Sequence, residues 1–567
     1  MAKFETQQQT KSISSYGGIG SLIQTRENGS LLIENFDKWL YYSAFFVGES
    51  LDQFDKRLIQ DPRLVVRLRE ESFPNIMGLF RLPENESKFG MTAVDSPTSV
   101  ITAKFFPEWF FCPICRKLKH LKTWQDGETN NNYFPLCRCN SKYGNRLEQV
   151  RFILVSESGT LSDIPWDKFF NETKDLITVI PGNTEPTEQY TLFLSVGGSG
   201  ETLESIKITN YDKNGKVLVE GVTKRLKSLG RLNTMRFEDV NGNELSLQIR
   251  QSNSICYVKT ISSIFIPKVV LSADDLNIIK TIRLIKPDAD AEYIFTQLRG
   301  LNQKTSASPE MISKHLDPAA ETECEDKYRG EEFSFFKRQE TNESDLKFKQ
   351  IPFNKYGILN LYQVRKLKVT VVQTHYMRLT PEGTKSLVGP KDAKYFPAVE
   401  MFGEGILLQF DSKLIEELIT QIFPNEQMSK TAKILVHTFS HIIMKELEFE
   451  CGYSLSSMKE RLYVEDRTYA TLIYAVSGGD SSMGGITALF EKLPQDHEKM
   501  KIDLLIANAL QRSLDCSNDP ICSATKNEGQ ENEAACYSCC LLPEISCEEF
   551  NKFLNRNLLN EFYKILE

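Results

Sequence analysis

The chain has 567 residues, 41% of them hydrophobic and 25% charged, and a net charge of −8. That composition excludes a disordered or fibrous chain and suits several domains of roughly 100–200 residues each. The acidic average confines any nucleic-acid-binding surface to a local patch or a partner, and no apolar run approaches the roughly 18–20 residues of a membrane span.

In chain order, residues 1–15 are polar and lack the apolar core of a secretory signal, so a soluble, cytoplasmic protein is expected. Residues 1–100 mix helical and loop signals and form an unassigned N-terminal region. A first cysteine cluster follows, FPEWFFCPICRKLKHLKTWQDGETNNNYFPLCRCN, in which Cys112 and Cys115 form a CxxC and Cys137 and Cys139 a CxC. Two thiolate pairs close a tetrahedral zinc site with no free position, so a structural zinc ribbon is expected over 101–160. The competing reading is a redox CxxC beside an unrelated pair.

Residues 104–151 hold nine Lys/Arg against four acids. Arg116, Lys117, Lys119, Lys122, Arg138 and Lys142, with an exposed Trp109 or Trp124, are therefore candidate nucleic-acid contacts. A solvated positive face is the plain alternative.

β-branched and alternating segments (YTLFLSV, KVLVEGV, ELSLQIR) predict strands between residues 190 and 260, within a β-rich domain over 161–270. A mixed middle domain is expected over 271–410, with a polar linker or exposed insertion at 301–349. Residues 429–450 read as a helix that is apolar nearly all round and therefore buried, with Ser429 as N-cap and Gly452 just past its end. His437 and His441 share a face of it at i,i+4. That spacing suits zinc, although a pair of hydrogen-bonded core histidines fits it as well.

The C-terminal region, 411–567, carries the second cysteine cluster: Cys516, Cys522, Cys536, Cys539, Cys540 and Cys547. Cys536 and Cys539 form a CxxC with Cys547 beyond it, and Cys522 or Cys516 supplies the fourth ligand. Cys540, adjacent to Cys539, is expected to point elsewhere. Zinc is the expected metal, about two ions per chain in all, although an iron–sulfur cluster uses the same ligand type. Residues 501–567 carry six Lys/Arg against eleven acids, which makes this knuckle a packing staple and a poor phosphate cradle. EEFNKFLNRNLLNEFYKIL closes the chain as an amphipathic helix. The fold class expected is a multidomain α+β protein with an N-terminal zinc ribbon, a β-rich middle and a helical C-terminal zinc-binding domain.

Catalytic signatures are missing. No GxxxxGK[ST] occurs, and GGSGET at 197–202 lacks the phosphate-reaching lysine and reads as a flexible turn. HLKTWQD (His120, Lys122, Asp126) only approximates a phospholipase-D-type HxKxxxxD. SGGDSSMGGI at 477–486 is a tight turn or an anion-holding loop. No catalytic residue is assigned.

Several segments, taken together, resemble a known family. HTFSHIIMKELEFECGYSLSSMKERLY, TLIYAV, DSSMGGITALFE, CSNDPIC and ACYSCCLLPEISCEEFNKFLNR resemble the zinc-binding domain of DrmB-like proteins of DISARM anti-phage systems and of MrfA-like DNA helicases. FPEWFFCPIC, LQIRQSNSICYVKTISSIFIP, YRGEEFSFF and VEMFGEGILLQF extend the resemblance to DrmB-like chains over residues 100–560. It implies metal ligation by Cys112, Cys115, Cys137 and Cys139, and by Cys536, Cys539 and Cys547 with Cys522, Cys516 being held in reserve. The chain departs from the family at Ser156 and Thr160, where a Cys and a His are usual, and at Asn210 and Lys213, where a CxxC is usual.

A family zinc site is thus expected to be lost as a whole. The resemblance further implies an ATPase-free accessory subunit that docks on a superfamily-2-type DNA helicase, completes its DNA channel and touches DNA through the complex, with no membrane partner. A zinc-stapled protein-interaction scaffold that never touches nucleic acid is the alternative.

Overall fold

The computed structural model describes residues 17–24, 29–39, 42, 57–82, 87–88, 91–92, 101–115, 117–121, 124, 136–140, 144–165, 176–178, 189–196, 203–211, 217–224, 226–227, 231–232, 236–266, 273–302, 305, 307, 309, 312, 316, 327–337, 340–342, 346–380, 383–424, 427–465, 467–477, 484–527 and 531–566. The chain divides into two compact units, Met1–Ser263 with Thr370–Glu400, and Ile264–Val369 with Met401–Glu567. Both mix helices with sheets, so the class is α+β. Among the described residues, no helix is long and apolar enough to cross a membrane.

In the first unit, β1 (Trp109–Phe111) and β2 (Lys117–His120) pair antiparallel, with Trp109 opposite His120. β3 (Leu136–Cys137) pairs with β4 (Asn145–Arg146), and β5 (Glu148–Gln149) lies along the other edge of β1. β1 reads WFF and is buried at all three positions, as a short continuous apolar run in a sheet interior should be. Beyond β2 the sheet continues through Gln189–Val196, Leu203–Tyr211 and Val217–Lys224, where two of the predicted strand segments fall. The third is β7 (Glu244–Ile249), which pairs antiparallel with β6 (Phe152–Val155) in a separate sheet. GGSGET at 197–202 lies outside the described residues.

The second unit is built on a sheet in which Glu340–Asn342, β8 (Leu346–Lys355), β9 (Ile358–Met377), β10 (Tyr395–Phe410), β12 (Thr468–Ser477) and β11 (Met458–Glu465) lie side by side in that order. β9 and β10 contribute residues to both units. The helices are α1 (Lys327–Phe336), α2 (Ser412–Ile422), α3 (Met428–Cys451), α4 (Lys501–Ser513) and α5 (Arg556–Leu566). The core gathers Ile406, Leu408 and Phe410 of β10 with Leu435, Phe439, Ile443 and Leu447 of α3 and Phe562 of α5.

α3 is enclosed nearly all round, as its apolar pattern predicts. Its N-cap is Gln427, two residues before the expected Ser429, which therefore lies inside the helix. Its C-terminus turns on Gly452 at φ 70°, a conformation that glycine adopts without Cβ strain. The last helix is shorter than its sequence pattern suggests. EEFNKFLN forms turns, with Phe550, Asn551 and Phe553 at positive φ, and α5 begins only at Arg556.

The segment 301–349, expected to be a linker or exposed insertion, contains α1, where Glu332, Phe333, Phe335 and Phe336 are buried. Arg461 on β11 meets Glu332 through two bonds, Nε to Oε2 at 2.5 Å and Nη2 to Oε1 at 2.6 Å, with both side chains almost fully enclosed. The Tyr463 hydroxyl donates to the same carboxylate at 3.2 Å. Removing one partner of such a pair strands the other charge away from water. Glu332→Ala is therefore expected to cost about 3–5 kcal/mol, and Glu332→Leu with Arg461→Met much less than Glu332→Ala alone. Thermal unfolding of the three variants checks this; a double variant as unstable as Glu332→Ala would contradict it.

Candidate metal centres

The first thiolate group is assembled by loops at the ends of β1 to β4. The backbone places Cys112 just after β1, Cys115 in the turn to β2, Cys137 on β3 and Cys139 beyond it. Sγ of Cys112 lies 3.8 Å from that of Cys139, and Sγ of Cys115 lies 3.6 Å from that of Cys137. Zinc bound tetrahedrally by sulfurs at about 2.3 Å sets sulfur–sulfur edges of about 3.8 Å, so these four residues fit the ion. The Cys115 amide donates to Cys112 Sγ at 3.5 Å and Asn145 Nδ2 to Cys139 Sγ at 3.3 Å, contacts that favour the thiolate form.

The second group is Cys516, Cys522, Cys536 and Cys539. Sγ–Sγ distances are 3.5 Å for Cys516–Cys536, 3.7 Å for Cys522–Cys539 and 3.7 Å for Cys536–Cys539. Both candidates for the fourth ligand thus belong to the group, and Cys547 does not. Spacing alone favoured Cys547, because it follows the CxxC closely. The chain around Cys547 is instead folded back by Asn551, whose side chain bonds both backbone groups of Leu542 (2.9 and 2.7 Å). Cys539 is pulled down to about 4, first by a hydrogen bond from the Cys540 side chain and further by the Cys536 amide, against the cost of burial. Cys540 is pushed well above the ordinary thiol range by that same bond and by burial, and stays outside the group.

Cys547 joins His437, His441 and Glu460, all four buried. His437 Nε2 is 3.2 Å from Cys547 Sγ and 2.9 Å from Glu460 Oε1. The i,i+4 histidine pair was legible in the sequence. Glu460, which lies in the quoted run KERLY, was not read as a partner, since nothing local marks it.

The candidate nucleic-acid contacts fare less evenly. Trp109 is fully buried and Trp124 is 8% exposed, which corrects the expectation that one of them is free to stack on bases. Trp124 donates its indole N–H to the Phe110 carbonyl at 3.1 Å and packs with Phe110 and Cys112 under the thiolate group. Lys119 Nζ sits 4.7 Å from the Trp124 ring centre. Arg138 is exposed. Lys117 lies on β2; Arg116, Lys122 and Lys142 fall outside the described residues, as do Asp126 of HLKTWQD and Lys213. His120 is buried against Glu108 at 2.8 Å.

Ser156 and Thr160, two of the positions at which the sequence departs from the family it resembles, belong to a hydroxyl network. Ser156 and Ser158 hydroxyls lie 2.6 Å apart, and Ser158 and Thr160 each donate to Asp239 Oδ2 at 3.3 Å. Asn210 lies on the strand Leu203–Tyr211.

Residues 478–483 of the glycine-rich turn are outside the described ones, but its end is occupied by the protein's own anion. The Glu404 carboxylate accepts from the amides of Gly484 (2.8 Å), Ile486 (3.0 Å) and Thr487 (3.2 Å), from the Thr487 hydroxyl (2.7 Å) and from the Tyr453 hydroxyl (2.6 Å). Burial raises this carboxyl, but the Tyr453 and Thr487 hydroxyls and the two nearest amides outweigh it and hold it below the ordinary value.

Residues 439–540 match the family model of the MrfA Zn-binding domain, and residues 8–255 match that of a domain of unknown function (DUF8724). The first match spans Cys516, Cys522, Cys536 and Cys539, so the second unit carries a zinc-binding domain. Among characterised proteins the chain is similar to the DISARM protein DrmB of Bacillus paralicheniformis, 29% identical over 192 residues, which is 29% of this chain and 33% of that relative. The aligned region thus spans about a third of the length of the curated relative.

Cys112→Ser and Cys536→Ser are each expected to remove about one zinc per chain and to lower stability, because metal-binding energy is folding energy at such sites. Elemental analysis reads this out; unchanged zinc in either variant would contradict it. Glu404→Ala should cost about 1–3 kcal/mol by leaving several donors unpaired. Because the folded-state carboxyl is lowered, its stabilisation is complete above the usual carboxylate range and is lost as pH falls through the folded value. Acid titration of the variant should therefore lack that loss, and a parallel decline in both proteins would contradict it.

Proposed function

We propose that the chain is a non-catalytic, zinc-stapled subunit of a DISARM-type anti-phage complex, and that it docks on a superfamily-2-type DNA helicase in the cytoplasm and completes its DNA channel. The observation that carries this reading is the match to the MrfA Zn-binding domain at residues 439–540 in a chain without a GxxxxGK[ST] motif. The similarity to DrmB supports the defence context. On this reading the motor resides in a partner, and the zinc-binding domain that MrfA-like helicases carry in the same chain is supplied here separately. The closed four-cysteine groups, which leave no ligand position for substrate, suit a structural role. The first group, framed by β1–β4, would serve as the zinc ribbon, and its basic residues would contact DNA in the assembled complex.

A second reading has a specific observation behind it. With Trp109 and Trp124 both buried, neither tryptophan offers a platform for bases, which favours a scaffold that binds protein alone.

Affinity purification of the tagged full chain from its native host tests the proposal. A stoichiometric helicase subunit in the eluate is the expected result; recovery of the chain alone and free of nucleic acid would overturn it. The DNA-binding element has its own measurement on the purified complex. Neutralising Arg116, Lys122, Arg138 and Lys142 should flatten the dependence of log affinity on log salt by about 0.7–0.9 for each phosphate no longer neutralised. An unchanged slope would favour the scaffold.

A further inference from the structure

The buried group formed by His437, His441, Glu460 and Cys547 has no role in either four-cysteine centre. Its members come from three places in the second unit: the two histidines from successive turns of α3, the carboxylate from β11, and the thiol from the turn that precedes α5. Both histidines are fully enclosed, Glu460 is 2% exposed and Cys547 is 7% exposed. Their ligand-capable atoms all lie within 4.8 Å of one another.

Protons alone do not satisfy this arrangement. His441 Nδ1 lies 2.8 Å from the Cys540 carbonyl, which only accepts, so this nitrogen carries the proton and a neutral ring presents a bare Nε2. That Nε2 faces Glu460 Oε1 at 3.3 Å, acceptor against acceptor. A proton on that nitrogen would mend the contact only by placing an imidazolium in a fully enclosed site. At His437 the two needs also conflict. If Nε2–H donates to Glu460, the Cys547 thiol loses its acceptor there; if Nε2 accepts, Glu460 loses its donor. Among the described residues, His437 Nδ1 and Glu460 Oε2 have no hydrogen-bond partner.

We propose that His437 Nε2, His441 Nε2, Glu460 and Cys547 Sγ bind a zinc ion, the third of this chain. Metal–ligand bonds of about 2.0–2.3 Å in a tetrahedron put neighbouring ligand atoms roughly 3.3–3.7 Å apart. The 2.9–3.3 Å separations here need only a few tenths of an ångström of expansion. One thiolate, one carboxylate and two neutral imidazoles cancel the charge of Zn²⁺, which removes the main cost of burying the group. The outer contacts suit ligation too. The Cys540 carbonyl fixes the His441 tautomer, the Glu548 amide donates to Glu460 Oε1 at 3.2 Å, and the amides of Asn551 (3.1 Å) and Glu549 (3.3 Å) donate to Cys547 Sγ.

With four protein ligands, all of them buried, the site is structural. It clasps α3, β11 and the turn before α5, and the adjacent Cys539 and Cys540 couple it to the neighbouring four-cysteine centre.

Zinc K-edge X-ray absorption of the full-length wild-type chain, with elemental analysis of the same sample, is the test. Three occupied centres give about three sulfurs and one nitrogen or oxygen per zinc, with the outer-shell scattering of imidazole. About three zinc ions per chain with that average coordination is expected, and His441→Ala should lose about one ion together with the imidazole signal. Two ions per chain in an all-sulfur environment would overturn the proposal, as would a third ion that survives His441→Ala combined with Glu460→Gln. The wild-type measurement decides the matter even if a variant fails to fold.

Discussion

Between the end of α4 at Ser513 and the start of α5 at Arg556, the chain has almost no regular structure to hold it. A four-residue helix, Ile521–Ala524, and the paired dipeptides Lys526–Asn527 and Asn532–Glu533 are its only described elements. Pieces this short do not maintain themselves in water, since helix nucleation alone outweighs the few bonds formed. Cys516, Cys522, Cys536 and Cys539 come together within this segment, and a zinc ion held by them would supply the order that such short elements cannot. Side chains tie down the rest. Arg556 is enclosed at the root of α5, bonds both oxygens of Asp519 at 2.8 Å and reaches the Ser513 carbonyl at 3.1 Å. Asn532 bonds the Asn551 carbonyl and the Leu554 amide.

The sheet accommodates this by accepting buried charge, which it does through simple alternation. Neighbouring residues of a strand point to opposite faces. On β11, Glu460 points to the histidines of α3 and Arg461 to Glu332 of α1. Two adjacent ionisable residues thus reach elements on the two sides of one strand, Arg461 as an ion pair with Glu332 and Glu460 beside the two histidines. Glu404 on β10 does the same for the glycine-rich turn. The second unit therefore uses its buried carboxylates to lock loops and helices into register, leaving none of these three free for chemistry.

How much of this was legible in the sequence depends on the range over which each signal acts. The CxxC and CxC pairs, the all-round apolar pattern of α3 and the alternating strands are local, and they placed both thiolate clusters and the main helix. Cys547 was misplaced because spacing carries no information on the path of the chain, and Asn551 redirects that path. α1 was hidden for a different reason: its polar text, YRGEEF, conceals a carboxylate buried by a partner more than a hundred residues away. The burial of Trp109 and Trp124 was equally invisible, since exposure depends on what folds over a strand. Glu460 had no local mark at all, because it acquires its role only when β11 is laid against α3.

The claim that metal ligation, beyond packing, orders the segment between α4 and α5 is open to one direct measurement: amide hydrogen exchange of the full chain before and after zinc removal by a chelator. Amides from 514 to 555 should lose protection first, while those of β9, β10 and β12 remain protected. Unchanged protection of that segment in the zinc-free chain would contradict the account and assign its order to packing alone.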